Sequence, residues 1–451
     1  MSPVTDLTSR RLLAVVAREQ AEGRLPSLAA GVVRDGGLVW SGEYGGLAGE
    51  SIEPGPDVQY RIGSITKTMT AVLVMQLRDE GLLDLADRLD AHLPGVGYGD
   101  RTIRSLLAHS SGMQSEPEGR WWERSPGVSF DELAAAIDDS NAPFTPGQTF
   151  HYTNLAYGLL GEVVARLGGG SWFDQVEERL LRPLGMARTS YLPEAPAAAG
   201  YSVHHFAGTL TPEPAQDTGA MAPAGQVWST VSDLGVYASF LIDGHDDVLS
   251  RATLAEMRTP LSGTAEAGLS SGQGLGLRLS SGGSGTLVGH TGSMPGFLAG
   301  LFVDPVRRTG AVSLANATVG LRCAGLPTDL LEELESSEPT VVDAWEPATE
   351  VPAAVEELLG LWHWGNTALA FSWERGEVVV TSAITGAVTE RFRLGDDGTL
   401  LGTSGYHHGE ALRVARNPDG STNHLVCATF VYTRQPYDPR APIPGGAPTG
   451  S

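Results

Sequence analysis

A single lysine, Lys67, stands against 29 arginines in this chain of 451 residues. Arginine replaces lysine wherever a surface positive charge is all that is needed. It cannot replace a side chain that must at times be neutral, because guanidinium stays protonated. Lys67 also falls at a structural landmark. From Ser64 onward Ile65, Met69, Val72, Leu73 and Leu77 recur with helical spacing, and Gly81 closes the run. Ser64 and Lys67 then share one helix face, so hydroxyl and amine can meet. The positive end of the helix dipole and burial both lower the amine's pKa. A neutral amine can take the serine proton and leave an alkoxide-like nucleophile. The alternative is a serine that caps the helix, followed by a surface lysine.

Charge and composition exclude several classes. The net charge is −23 and no basic cluster is present, which argues against nucleic acid and anionic membrane surfaces as partners. A hydrophobic content of 41% with 18% charged residues describes a globular chain, long enough for two domains. Cys323 and Cys427 lie far apart without metal-ligand spacing, so neither a disulfide framework nor a zinc knuckle is expected. The apolar stretch Leu12–Ala17 is short and runs into Arg18, Glu19 and Gln20, unlike an export signal. No run reaches the ~18 apolar residues of a membrane span. A cytoplasmic protein is expected.

Along the chain, Thr8–Glu22 reads as an amphipathic helix. Leu28–Val33 and Leu38–Tyr44 read as a hairpin around the turn Arg34-Asp35-Gly36-Gly37. A long section to about Leu249 reads as helices and loops. Strand-like runs return at Gly274–Leu279, Gly285–Val288, Leu298–Val303 and Gly310–Leu314. Ser336–Ala354 has linker composition. Beyond it, Ala368–Trp373, Val378–Thr381, Thr389–Leu394, Ala411–Val414 and Leu425–Tyr432 read as short strands of a small antiparallel barrel or sandwich. The expected division is a catalytic domain over 1–335, a linker over 336–354, a barrel over 355–437 and a flexible tail over 438–451.

Two further motifs carry chemistry. In Tyr152-Thr153-Asn154, a tyrosine near an ammonium can have a depressed pKa and relay a proton, and Asn154 offers both donor and acceptor to an acyl amide. In His290-Thr291-Gly292-Ser293, at the end of an expected strand, Gly292 permits close backbone approach. The N–H of Ser293 with that of Ser64 would form an oxyanion hole. Each triplet alone is also compatible with a purely structural role.

Ser-x-x-Lys at Ser64, Tyr-x-Asn 88 residues later and His-Thr-Gly 226 residues later form an ordered set. With Leu106–Gly112, Tyr152–Leu160, Pro183–Met186 and Trp228–Leu234, the set resembles the serine β-lactamase-like and penicillin-binding-protein superfamily, on the class C and D,D-peptidase side. The resemblance spans about residues 8–335. It implies an α+β fold: an antiparallel sheet flanked by helices plus an all-helical lobe, with the site in the cleft between. It also implies catalysis by Ser64 with Lys67, Tyr152, Asn154 and His290, and no metal or organic cofactor.

One departure is His290, where many members carry Lys-Thr-Gly. Histidine is mostly neutral near pH 7, so a fixed cation for a β-lactam carboxylate is lost. A lipocalin-like barrel behind such a domain resembles the penicillin-binding-protein-type thioesterases. That likeness implies that Ser64 takes a nonribosomal peptide from a free or carrier-protein-bound thioester and releases it by macrolactam cyclisation or hydrolysis. A D-residue is expected at the acylated end. The alternative is an esterase or D-stereospecific peptidase or amidase of the same superfamily. Substrate contacts are expected from Thr291, Gly292, Trp228 and Phe297. Trp121, Trp122 and Tyr157 are further pocket candidates; each of these aromatic residues fits a core role better than a substrate contact, and Trp228 and Phe297 gain from their place beside the motifs. Arg434, in Thr433-Arg434-Gln435-Pro436-Tyr437, either faces the cleft to hold the incoming nucleophile or is a surface arginine.

Overall fold

Leu28–Val33 is apolar at every position because the strand it forms is covered on both faces. In the computed structural model, which describes residues 3–46, 55–282, 285–342 and 344–436, it is β1 (Ser27–Arg34). β1 pairs antiparallel with β2 (Gly37–Gly45) across a tight turn in which Asp35 and Gly36 take positive φ. The other strands of this sheet are β3 (Ser271–Gln273), β4 (Arg278–Gly282), β5 (Gly285–Met294), β6 (Phe297–Asp304) and β7 (Thr309–Ala315), in the order β2-β1-β7-β6-β5-β4-β3. The opening hairpin is thus joined edgewise to strands that follow more than 200 residues later. The contacts divide the chain into two units, Met1–Thr340 and Val341–Ser451.

Alternate residues of β1 serve two layers. Leu28, Ala30 and Val32 join a core with Leu12 and Val16 of α1 (Asp6–Gly23) and Leu326, Leu330 and Leu334 of the last helix of the unit, Gly325–Ser337. Ala29 and Val33 face the opposite core, with Val231 and Leu234 of the helix Val231–Asp243. That second core continues into a helical lobe through α2 (Thr66–Asp79) and α3 (Asn154–Gly168). Burial of each apolar side chain there contributes about 1.5–3 kcal/mol.

Three sequence readings of this unit are revised. Gly274–Leu279 is not one strand: it bends between β3 and β4, with Gly276 at φ 71° and no room for a Cβ beside Ala71. The run Gly285–Val288 extends to Met294, so His290 lies within the strand rather than at its end. The linker composition beginning at Ser336 overlaps the helix that ends at Ser337, and Glu338 still pairs with Arg34 of β1.

The second unit is a meander of eight antiparallel strands, β8 (Gly360–Trp364), β9 (Thr367–Glu374), β10 (Glu377–Ser382), β11 (Val388–Leu394), β12 (Leu400–Gly405), β13 (Ala411–Arg416), β14 (Thr422–Cys427) and β15 (Phe430–Tyr432). Paired backbone hydrogen bonds between His363 and Thr433 bring the first strand to the last, so the barrel is nearly closed. Trp362, Phe371, Phe392 and Tyr432 fill it. The run Leu425–Tyr432 is two strands, because Ala428 takes a left-handed φ of 50° and turns the chain without glycine or proline. β8 and β12 are absent from the sequence reading. Tyr437 and the expected tail over 438–451 lie outside the described residues.

Candidate active site

Ser64 lies in a single 3-10 turn, Gly63–Ile65, that leads into α2, and neither segment is capped by a side chain. The capping alternative is therefore not what the hydroxyl does. Lys67 Nζ lies 2.9 Å from Ser64 Oγ and donates to the Ala224 carbonyl at 2.6 Å. Lys67 is fully buried, between the rings of Tyr152 (5.1 Å from Nζ) and Tyr157 (5.6 Å). Burial pushes its amine down to about 7, against the opposing pull of Glu116 and Glu123. Near neutral pH the amine is close to half deprotonated.

Two glycines let the turn meet β5. A Cβ on Gly292 would lie 1.9 Å from the Ile62 carbonyl oxygen, and one on Gly63 would lie 2.5 Å from the Ser293 nitrogen. Gly63 also holds a φ of 52°, which only glycine adopts cheaply. The backbone of Ser293 is thereby brought against the residue that precedes Ser64. Ser64, Tyr152, His290, Thr291, Gly292 and Ser293 line one cavity of about 760 Å³.

Tyr152 shares a hydrogen bond with Ser64, and burial raises its pKa well above the ordinary phenol value. The sequence reading expected a depressed value. That expectation weighed a nearby ammonium, but burial of the phenol itself is the larger effect and raises the value. Tyr152 is consequently a neutral phenol and a proton donor. His290 is pushed down to about 3, chiefly by burial and then by Lys67. Its Nδ1 lies 2.6 Å from the Thr291 carbonyl oxygen. A carbonyl only accepts, so Nδ1 carries the proton and Nε2 is left as an acceptor.

Other expected residues are placed elsewhere. Asn154 does not line the cavity; its side-chain amide donates to Glu116 at 2.7 Å. Trp228 and Phe297 pack edge to face, 5.0 Å apart, in the core, and neither lines the cavity. Trp228 is drawn inward by pairing of its short strand with Tyr60–Arg61, and Phe297 by packing against Gly200. Tyr157 is buried with its hydroxyl on the Leu107 carbonyl. Trp121 is exposed, and the indole of Trp122 donates to Glu116 at 2.7 Å. Arg434 belongs to the barrel's own packing. Its guanidinium donates to the carbonyls of Glu357, Leu359 and Leu361 and stacks 3.9 Å from the Trp362 ring.

Three functional neighbours escaped the sequence reading. Glu116, gripped by Asn154 and Trp122, and Glu123 supply the negative charge that acts on Lys67. Arg278 of β4 lines the cavity beside His290 and brings a cation to the side of the site where His290 replaces a lysine. No local motif marks any of the three. His109, within the Leu106–Gly112 stretch, is fully buried with its ring 4.3 Å from that of Tyr152 and its Nδ1 accepting from the Thr153 N–H.

A family model described as Beta-lactamase matches residues 12–333, and one described as a domain of unknown function, DUF7586, matches residues 351–434. Penicillin-binding protein 4 of Amycolatopsis lactamdurans is 30% identical over 336 residues, 70% of this chain and 86% of that protein. Beta-lactamase-like protein 2 of Dictyostelium discoideum is 28% identical over 274 residues, 55% of this chain, and the match spans about half (48%) of that longer relative. Among solved structures, SurE has a TM-score of 0.61 at 26% identity, over 95% of this chain and 99% of that one, and SurE with D-Leu is similarly close. A D-stereospecific amidohydrolase from Streptomyces sp. has a TM-score of 0.60 at 26% identity, over 73% of this chain and 98% of that one. Among the described residues, no helix is long and apolar enough to cross a membrane.

Proposed function

This chain belongs to the beta-lactamase family, and we propose that it acts there as a penicillin-binding-protein-type thioesterase. In this reading Ser64 takes a peptidyl group from a nonribosomal peptidyl thioester, free or carrier-bound, and passes it to the peptide's own amine. The observation that carries the reading is the Ser64–Lys67 pair, with a buried amine poised near neutrality. The likeness to SurE extends along both units, and its structure with D-Leu supports a D-residue in the substrate. In this reading the protein meets such substrates in the cytoplasm.

The chemistry follows from the groups on hand. Neutral Lys67 takes the Ser64 proton as Oγ attacks the thioester carbonyl. The oxyanion is held by the N–H groups of Ser64 and Ser293, worth about 3–4 kcal/mol each. As the C–S bond breaks, Tyr152 gives its proton to the departing thiolate and is reprotonated from Lys67. In the second half the peptide amine attacks the ester and Ser64 Oγ leaves as the hydroxyl, its proton coming from the attacking amine by way of Tyr152 and Lys67. His290 Nε2 accepts a hydrogen bond from Tyr152 or substrate, and Arg278 attracts the polar end of the acyl chain. Asn154 acts from outside the cavity, holding Glu116 where its charge reaches Lys67.

A second reading is favoured by the D-stereospecific amidohydrolase likeness: water, not an amine, attacks the acyl enzyme. Product analysis separates the two. A peptidyl thioester mimic ending in a D-residue is expected to yield cyclic peptide. Linear acid alone, with rapid turnover of D-amino-acid amides, would establish the hydrolase instead.

A further inference from the structure

Outside this site, one place among the described residues brings three metal-ligating side chains together. His407, Glu410 and Cys427 each offer a ligand atom within 4.8 Å of the others. The first two share a tight turn after β12, closed by the Glu410 N–H on the His407 carbonyl at 3.0 Å. Cys427 ends β14. The turn is pressed onto the barrel wall: a Cβ on Gly402 would lie 2.0 Å from the His407 carbonyl oxygen, and one on Gly405 would lie 2.2 Å from that of Thr389.

His407 is the informative member. It is fully buried, and its Nδ1 lies 2.7 Å from a carboxylate oxygen of the buried Glu390. That carboxylate takes the Nδ1 proton as a hydrogen bond, which leaves Nε2 as a lone pair. Nε2 is buried and has no hydrogen-bond partner among the described residues. Tyr432 steadies the other oxygen of Glu390 at 3.4 Å. A histidine whose second nitrogen is held by a carboxylate is the usual arrangement behind a bound zinc ion. A buried thiol and an exposed carboxylate beside it complete a mixed N, S, O set, which suits zinc with solvent in the fourth position. Tetrahedral zinc places its ligand atoms about 3.5 Å apart. The exposed Glu410 can swing inward to close the remaining gap.

We propose that the C-terminal barrel binds one zinc ion through His407 Nε2, Glu410 and Cys427, with Glu390 orienting the histidine. Binding converts the Cys427 S–H to a thiolate–metal bond and releases its proton to solvent; nothing is oxidised or reduced. The sequence hid this site because its ligands lie on one turn and at the end of a later strand of the meander, without motif spacing.

The test uses the full chain, freed of metal and titrated with Co²⁺ as a spectroscopic probe. One equivalent is expected, with a thiolate-to-cobalt charge-transfer band, displaced by one equivalent of Zn²⁺. Cys323→Ser should keep the band and Cys427→Ser should lose it. Glu410→Gln, on an exposed side chain that leaves folding intact, should weaken binding at least tenfold, and Glu390→Gln by about 10–100-fold. If the folded wild-type chain takes up no stoichiometric Co²⁺, or if Glu410→Gln binds it as wild type does, the site is a buried His–Glu pair and the proposal falls. Ser64 acylation is read separately in Glu410→Gln, so the outcome does not depend on the thioesterase reading.

Discussion

Lys67 has two properties that arginine cannot supply, full burial and an amine pushed down to about 7. Lys67→Arg should therefore slow acylation of Ser64 by about 10²–10⁴-fold, the usual worth of a placed general base. A burst assay with a chromogenic thioester measures this. The pH profile carries the same signature. The base works only as the free amine, so kcat/KM should rise with pH through a midpoint near 7. Glu116 favours the protonated form, so Glu116→Gln should move that midpoint to lower pH. An unmoved or raised midpoint would assign the limb to another group. The Ser64–Lys67 pair was legible in the sequence because it is local, one helical turn apart. Glu116 and Arg278 were not, because only tertiary packing brings them to the site. Trp228 and Phe297 misled because proximity to a motif in sequence says nothing about which face of a strand a ring occupies.

At the scale of elements, the site exists because the turn before α2 touches β5, and Gly63 and Gly292 permit that contact. Gly292→Ala puts a methyl 1.9 Å from the Ile62 carbonyl. It should destabilise the first unit by about 1–3 kcal/mol in denaturant unfolding and impair acylation beyond that. Gly46→Ala, with open space around its Cβ, is the control and should stay within about 0.5 kcal/mol. β1 and β2 were legible because turn chemistry and a doubly buried apolar run coincide. The breaks at Gly274–Leu277 and at Ala428 were not. Apolar composition continues through them while the backbone turns for reasons of packing.

For the molecule as a whole, a buried amine is a stability cost that function retains. The folded-state value of Lys67 lies near 7 against about 10.4 in an unfolded chain. Below pH 7 both states hold the proton and the cost of burying it is full. Between about 7 and 10.4 only the unfolded state does, and the cost declines to zero. Lys67→Met should thus raise Tm at pH 7 in calorimetry, with the gain over wild type shrinking toward pH 10. A gain that grows with pH would contradict the assignment. The chemistry passes through a covalent acyl enzyme at Ser64, which intact-mass and peptide-level mass spectrometry after brief exposure to a peptidyl thioester detects. The wild-type chain should gain one acyl group, on the peptide that holds Ser64, and Ser64→Ala should gain none. An acyl group on another residue, or undiminished labelling of Ser64→Ala, would contradict it.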